Sequence, residues 1–121
     1  MRDGVMTDGA VVDVTDATFA EVVERAGLPV LVDFTAEWCA PCRVLEPVLE
    51  ALARERAGSL RVARLDVDVN QGTSERFGVR SMPTLLLFRG GRVVQQVVGA
   101  VSRARLEKLL EAAGEVGAGA R

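Results

Sequence analysis

Apolar positions in this chain alternate between compact runs and spaced stripes. Ala10–Val14 reads as a short strand. Thr15 and Asp16 follow as candidate N-caps. Phe19, Val22, Val23 and Ala26 then recur at i, i+3, i+4 and i+7, a helical stripe that Gly27 stops. Val30–Thr35 carries apolar residues on both alternations, which suits a central strand covered on both faces. Leu45, Val48, Leu49 and Leu52 predict a helix over about 40–57, ended by Gly58. Pro47 inside it lacks the N–H that would bond the Arg43 carbonyl, so a kink is expected there. Leu60–Val67 is a second central strand, and Asn70–Phe77 a short helix ended by Gly78. Thr84–Phe88 and Val93–Val98 are strands joined through Arg89-Gly90-Gly91-Arg92, a hairpin turn. Ser102 caps a last helix whose inner stripe is Leu106, Leu109, Leu110 and Ala113. The order β-α-β-α-β-α-β-β-α predicts an α/β fold with a mixed sheet and helices on both faces. Residues 1–9 are expected to be a flexible arm, 10–114 a single domain and 115–121 a flexible tail.

Composition narrows the function. The 121 residues carry a formal net charge of −2 with mixed signs, which argues against a nucleic-acid partner. Histidine is absent, so there is no Cys–His or Ser–His pair. The first residues lack the apolar core of a secretory signal, and no apolar run approaches membrane-spanning length. A cytoplasmic protein with no membrane partner is expected, with a monomer as the default.

The candidate chemistry lies in Trp38-Cys39-Ala40-Pro41-Cys42-Arg43, which holds both cysteines and the one tryptophan. Bridging two cysteines so close together removes almost no loop entropy, so they are a poor structural staple. In an intracellular chain the pair reads as redox or metal-binding. Zinc wants four ligands, which here would require dimerisation or recruited carboxylates. The hexapeptide falls between a strand and a helix, and Pro41 suits a first helical turn. Cys39 then sits at a helix N-terminus, where unpaired N–H groups and the macrodipole favour a thiolate. Arg43 adds positive charge nearby, whereas Glu37 and Glu46 lie close by with no assigned role.

Val-Leu-Val-Asp-Phe-x-Ala-Glu-Trp-Cys-x-Pro-Cys at 30–42 resembles the thioredoxin family, as do Arg80-Ser81-Met82-Pro83-Thr84-Leu85 and Val98-Gly99-Ala100. The resemblance spans about 10–114. It implies the thioredoxin fold, a five-stranded mixed sheet flanked by four helices. It also implies a protein disulfide reductase, with Cys39 as nucleophile, Cys42 as resolving cysteine and Asp33 as the buried acid behind them. Pro83 matches the cis-proline of the substrate groove. The Met82 backbone matches the segment that pairs with a bound peptide. Trp38, Gly99 and Ala100 match the apolar rim, which Ala40 and Pro41 extend. Pro47 matches the proline that kinks the site helix. Three positions depart from the family pattern. Ala40 stands where most members have glycine, Thr35 where tryptophan is common, and Arg64 where lysine often pairs with the buried acid.

The implied partners are disulfide-containing proteins and a thioredoxin reductase. No cofactor or metal is expected on this chain, which lacks a Rossmann glycine fingerprint. NADPH and FAD would enter only through the reductase. Asp33, inside an apolar strand, is expected to have a raised pKa and to act as a general acid/base. A structural acid paired with Arg64 is the plainer reading of the same residue. Two other functions use the same features: an oxidant or isomerase running the chemistry in reverse, and a binding module whose surface matters more than its thiols.

Overall fold

The structure, a computed structural model, describes residues 9–114. The elements are β1 (Val12–Val14), α1 (Ala20–Glu24), β2 (Val30–Thr35), α2 (Ala40–Glu55), β3 (Arg61–Asp66), α3 (Gln71–Arg76), β4 (Thr84–Arg89), β5 (Arg92–Val98) and α4 (Arg103–Ala112). The five strands form one sheet in the order β1-β3-β2-β4-β5. β1–β3 and β3–β2 are parallel, while β2–β4 and β4–β5 are antiparallel. The mixed five-stranded sheet with four helices is the expected thioredoxin fold. The expected arm and tail lie, apart from Gly9, outside the described residues.

β2 is buried along its whole length because helices cover both faces of the sheet. On one face Val30, Val32 and Phe34 pack with Phe19, Val22 and Val23. Phe19, Phe77 and Phe88 meet there with ring centroids 5.2–5.6 Å apart, tilted or edge-on as ring quadrupoles favour. On the other face Leu31, Leu85 and Leu87 pack under Leu45, Leu49 and Leu52 of α2 and Leu106, Leu109 and Leu110 of α4. Truncating one of these α2 leucines to alanine costs about 2–5 kcal/mol and loosens the helix that carries the cysteines. α2 runs through Pro47 without interruption. At the turn between β4 and β5, Gly90 and Gly91 take φ of 59° and 81°, the paired positive values that a two-residue hairpin loop demands.

Two expectations near the N-terminus need correction. The helix predicted from the Phe19 stripe is only five residues long and has π-type turns, with Arg25 N–H bonding Ala20 O at 2.8 Å. Neither Thr15 nor Asp16 caps it. Thr15 instead closes a tight turn with Thr18. Asp16 reaches across to α3, where its Oδ1 accepts from Thr73 N–H at 2.9 Å and Thr73 Oγ1 at 2.6 Å, and its Oδ2 accepts from Gly72 N–H at 3.1 Å. It caps a helix 55 positions further on, so local spacing points it at the wrong partner. Asn70 completes the tie by accepting from Asp16 N–H. Ser102 caps α4 as expected, accepting from Arg105 N–H at 3.1 Å.

Candidate active site

The parallel pairing of β2 and β3 sets Thr35 beside Asp66. The segments leaving these strands therefore emerge together, beyond the carboxyl ends where open α/β sheets place their sites. Cys39 is the N-cap of α2, and Cys42 lies in its first turn. The two are joined as a disulfide with Cα atoms 5.3 Å apart. Their burial differs little, at 4 % exposure for Cys39 and 1 % for Cys42. What faces the surface beside them is Trp38, 65 % exposed, with exposed Ala40 and Pro41.

The helix N-terminus is built to hold negative charge on Cys39. Cys42 N–H points at Cys39 Sγ at 3.3 Å, a bond that strengthens when the sulfur is a thiolate. The macrodipole acts in the same sense. Arg43 donates to the Glu37 carbonyl at 2.7 Å, which pins the loop entering the helix.

The second wall comes from the start of β4. The Met82–Pro83 peptide bond is cis, and Met82 O lies 3.6 Å from Cys39 Sγ. Gly99 N–H bonds Pro83 O at 2.8 Å, so the end of β5 is fastened to the same segment. Met82 thus borders the disulfide, Gly99 reaches it only through its bond to the Pro83 carbonyl, and Pro83 itself is buried.

Asp33 lies on the β2 alternation that faces α2, next to Leu31. It is 0 % exposed, and neither carboxylate oxygen has a hydrogen-bond partner among the described residues. Burial raises its pKa from the ordinary 3.8 to about 7, against the pull of the Arg64 charge and with a further push from Glu46. The ion pair between Asp33 and Arg64, the plainer reading of the sequence, is not formed. Arg64 Nε bonds Asp13 Oδ1 at 2.9 Å instead.

One site contact has no signature in local spacing. Trp38 Nε1 donates to Asp68 Oδ2 at 2.8 Å, which orients the indole beside the cysteines. Asp68 lies just past β3, so only the strand order could have pointed to it. Among the described residues, no group of three or more Cys, Asp or Glu is arranged to hold a metal ion. No helix among them is long and apolar enough to cross a membrane.

Comparison with known proteins agrees with this geometry. The family model described as thioredoxin matches residues 10–112. A thioredoxin of Pseudomonas aeruginosa is 48 % identical over 102 residues, covering 84 % of this chain and 94 % of its own. A thioredoxin of Mycobacterium tuberculosis is 52 % identical over 104 residues, covering 84 % and 90 %. Thioredoxin 1 of a Nostoc species is 43 % identical over 102 residues, covering 84 % and 95 %. With that much of its length matched, and a bonded cysteine pair heading the helix after β2, the chain belongs to the thioredoxin family of thiol–disulfide oxidoreductases, which reduce protein disulfides.

Proposed function

We propose that this chain reduces target disulfides with Cys39 as nucleophile, Cys42 as resolving cysteine and Asp33 as general acid/base. The observation that carries the reading is the placement of the Cys39–Cys42 pair at the N-cap of α2. There the Cys42 N–H and the helix dipole support a thiolate on Cys39. The Cys39 thiolate attacks one sulfur of the target disulfide, and the other leaves as a thiolate. Cys42 then gives its proton to Asp33 and attacks Cys39 Sγ, which expels the second target sulfur. Two electrons pass to the target, and the Cys39–Cys42 disulfide remains. A carboxylate whose pKa is near 7 is matched to taking a proton at neutral pH.

The target docks on the rim formed by Trp38, Ala40, Pro41, Met82, Gly99 and Ala100, supported from beneath by the buried Pro83, with its backbone along Met82. This rim is shallow and apolar, which suits many protein partners. The working unit is a monomeric domain over residues 10–114 in the cytoplasm. A thioredoxin reductase returns the pair to the dithiol and supplies NADPH and FAD chemistry on its own chain.

Equilibrating the Cys39–Cys42 couple against a thiol buffer of known poise tests the reading. A reductase gives a potential near about −270 mV, the value typical of thioredoxins. A potential near about −180 mV, as in disulfide isomerases, would overturn it in favour of an oxidant or isomerase.

A further inference from the structure

One row of charged residues crosses the sheet at a single register. Asp13 on β1 pairs with Arg64 on β3, and Arg64 pairs in turn with Asp33 on β2. One guanidinium therefore stands between two carboxylates on neighbouring strands. Arg64 bonds only one of them: its Nε donates to Asp13 Oδ1 at 2.9 Å, while both Asp33 oxygens stay without a hydrogen-bond partner among the described residues. The preference follows from solvation. Asp13 is 75 % exposed and Arg64 is half-buried, so their pairing takes little charge out of water. A pair with Asp33 would have to strip water from both ions.

We infer that Asp13 is a positioning residue for the proton step at Asp33: it anchors the Arg64 guanidinium at the outer end of the row and so withholds the hydrogen bond that would fix Asp33 as a carboxylate. The inference rests on the reading of Asp33 as the proton acceptor. A carboxylate locked to arginine is a weak base at neutral pH, whereas one left unbonded in an apolar setting can hold and release a proton there.

Of the carboxylates around Arg64, Asp13 is the one it bonds; Glu46 acts on it through space, and Glu50 and Arg54 of α2 line a second pocket with it. Among the elements packed on this face, β4 presents Leu85 and Leu87, and α4 presents Leu106, Leu109 and Leu110. α2 contributes Glu46, whose charge opposes ionisation of Asp33. Glu37, Glu46 and Asp66 line the same pocket of about 310 Å³ as Asp13 and Arg64. Arg64 is the cation of this set, and where it points decides whether Asp33 meets an opposite charge at bonding distance.

A double-mutant cycle read by carbon-detected NMR of the Asp33 carboxyl, in the oxidised protein, tests this. Asp13→Asn is expected to lower the Asp33 midpoint by about one pH unit, the lower end of what a close opposite charge does. Asp13→Glu keeps the charge and leaves the midpoint in place. Arg64→Gln raises it, and Asp13→Asn adds nothing in that background. An unmoved midpoint in Asp13→Asn overturns the inference. So does an equal drop with and without Arg64, which would make Asp13 a through-space charge only. Because the oxidised protein has no thiol to deprotonate, the result is independent of whether Asp33 serves Cys42. That role is read from the rate of the second exchange step, whose pH profile is expected to move to lower pH in Asp13→Asn.

Discussion

Asp16 and Asp33 are the same residue type in opposite circumstances. Asp16 is exposed yet holds three donors from the start of α3, and the hydroxyl and N–H of Thr73 draw its pKa below the ordinary value. Asp33 is sealed beneath α2 with no donor among the described residues, and burial drives its pKa up to about 7. The first carboxylate is fully employed in tying β1 to α3. The second leaves its bonding capacity unused where that is most costly. The satisfied carboxylate fastens the fold, and the unsatisfied one is the group proposed above to carry the proton of the exchange.

The largest effect comes from the residue that Asp33 serves indirectly. Cys39→Ser removes the proposed nucleophile, and turnover on a protein disulfide is expected to fall on the order of 10³-fold or more, with an intact fold expected by circular dichroism. Asp33→Asn is expected to slow reduction at pH 7 by about 10-fold or more, because Cys42 then has only water to take its proton.

The same substitution acts in the opposite direction on stability. The folded pKa of Asp33 lies above its unfolded value, so the folded protein keeps this proton where the unfolded chain has released it. Wild type therefore loses stability as pH rises from about 4 to about 7. At 1.36 kcal/mol per pH unit the full span is roughly 4 kcal/mol. Denaturant titrations at pH 4 and pH 8 are expected to show Asp33→Asn gaining on wild type by an amount of that order at the higher pH.

Asp16→Ala is expected to show the reverse dependence. Its folded pKa is lowered, so its contribution is present above the unfolded value and is lost as pH falls through the folded one. The melting temperature of Asp16→Ala should sit below wild type at pH 7 and converge with it in acid, with disulfide reduction unchanged. The smallest effect is expected from Trp38→Phe. It loses the bond to Asp68 at the exposed rim, which changes stability by about 1 kcal/mol or less and weakens target affinity in a binding titration.

The comparison also separates what was legible in the sequence. The strands, the helix from Ala40 and the Ser102 cap follow from periodicities and caps that act within a few residues. The cysteine pair, its place at a helix start and the burial of Asp33 were readable for the same reason. The partner of Asp16 was not, because capping from 55 positions away depends on how β1 and α3 pack. The partners of Arg64 and Trp38 were hidden likewise. Arg64 has carboxylates on both flanking strands, and its choice of Asp13 over Asp33 turns on solvation, which the order of residues does not encode. Asp68 meets Trp38 only because β2 and β3 run parallel side by side. The short π-type α1 shows that a clean apolar stripe specifies a buried face without fixing the hydrogen-bond ladder behind it.

The most direct test of Asp33 as proton acceptor is rapid mixing of the reduced protein with a symmetrical aromatic disulfide. Attack by Cys39 releases one coloured thiolate and resolution by Cys42 releases a second, so the two steps appear as separate phases. Between pH 5 and 9, Asp33→Asn is predicted to leave the first phase at its wild-type rate. The second phase should slow by about 10-fold or more and lose its inflection near pH 7. A second phase that matches wild type at every pH would contradict the account and make Asp33 a buried charge without a part in the exchange.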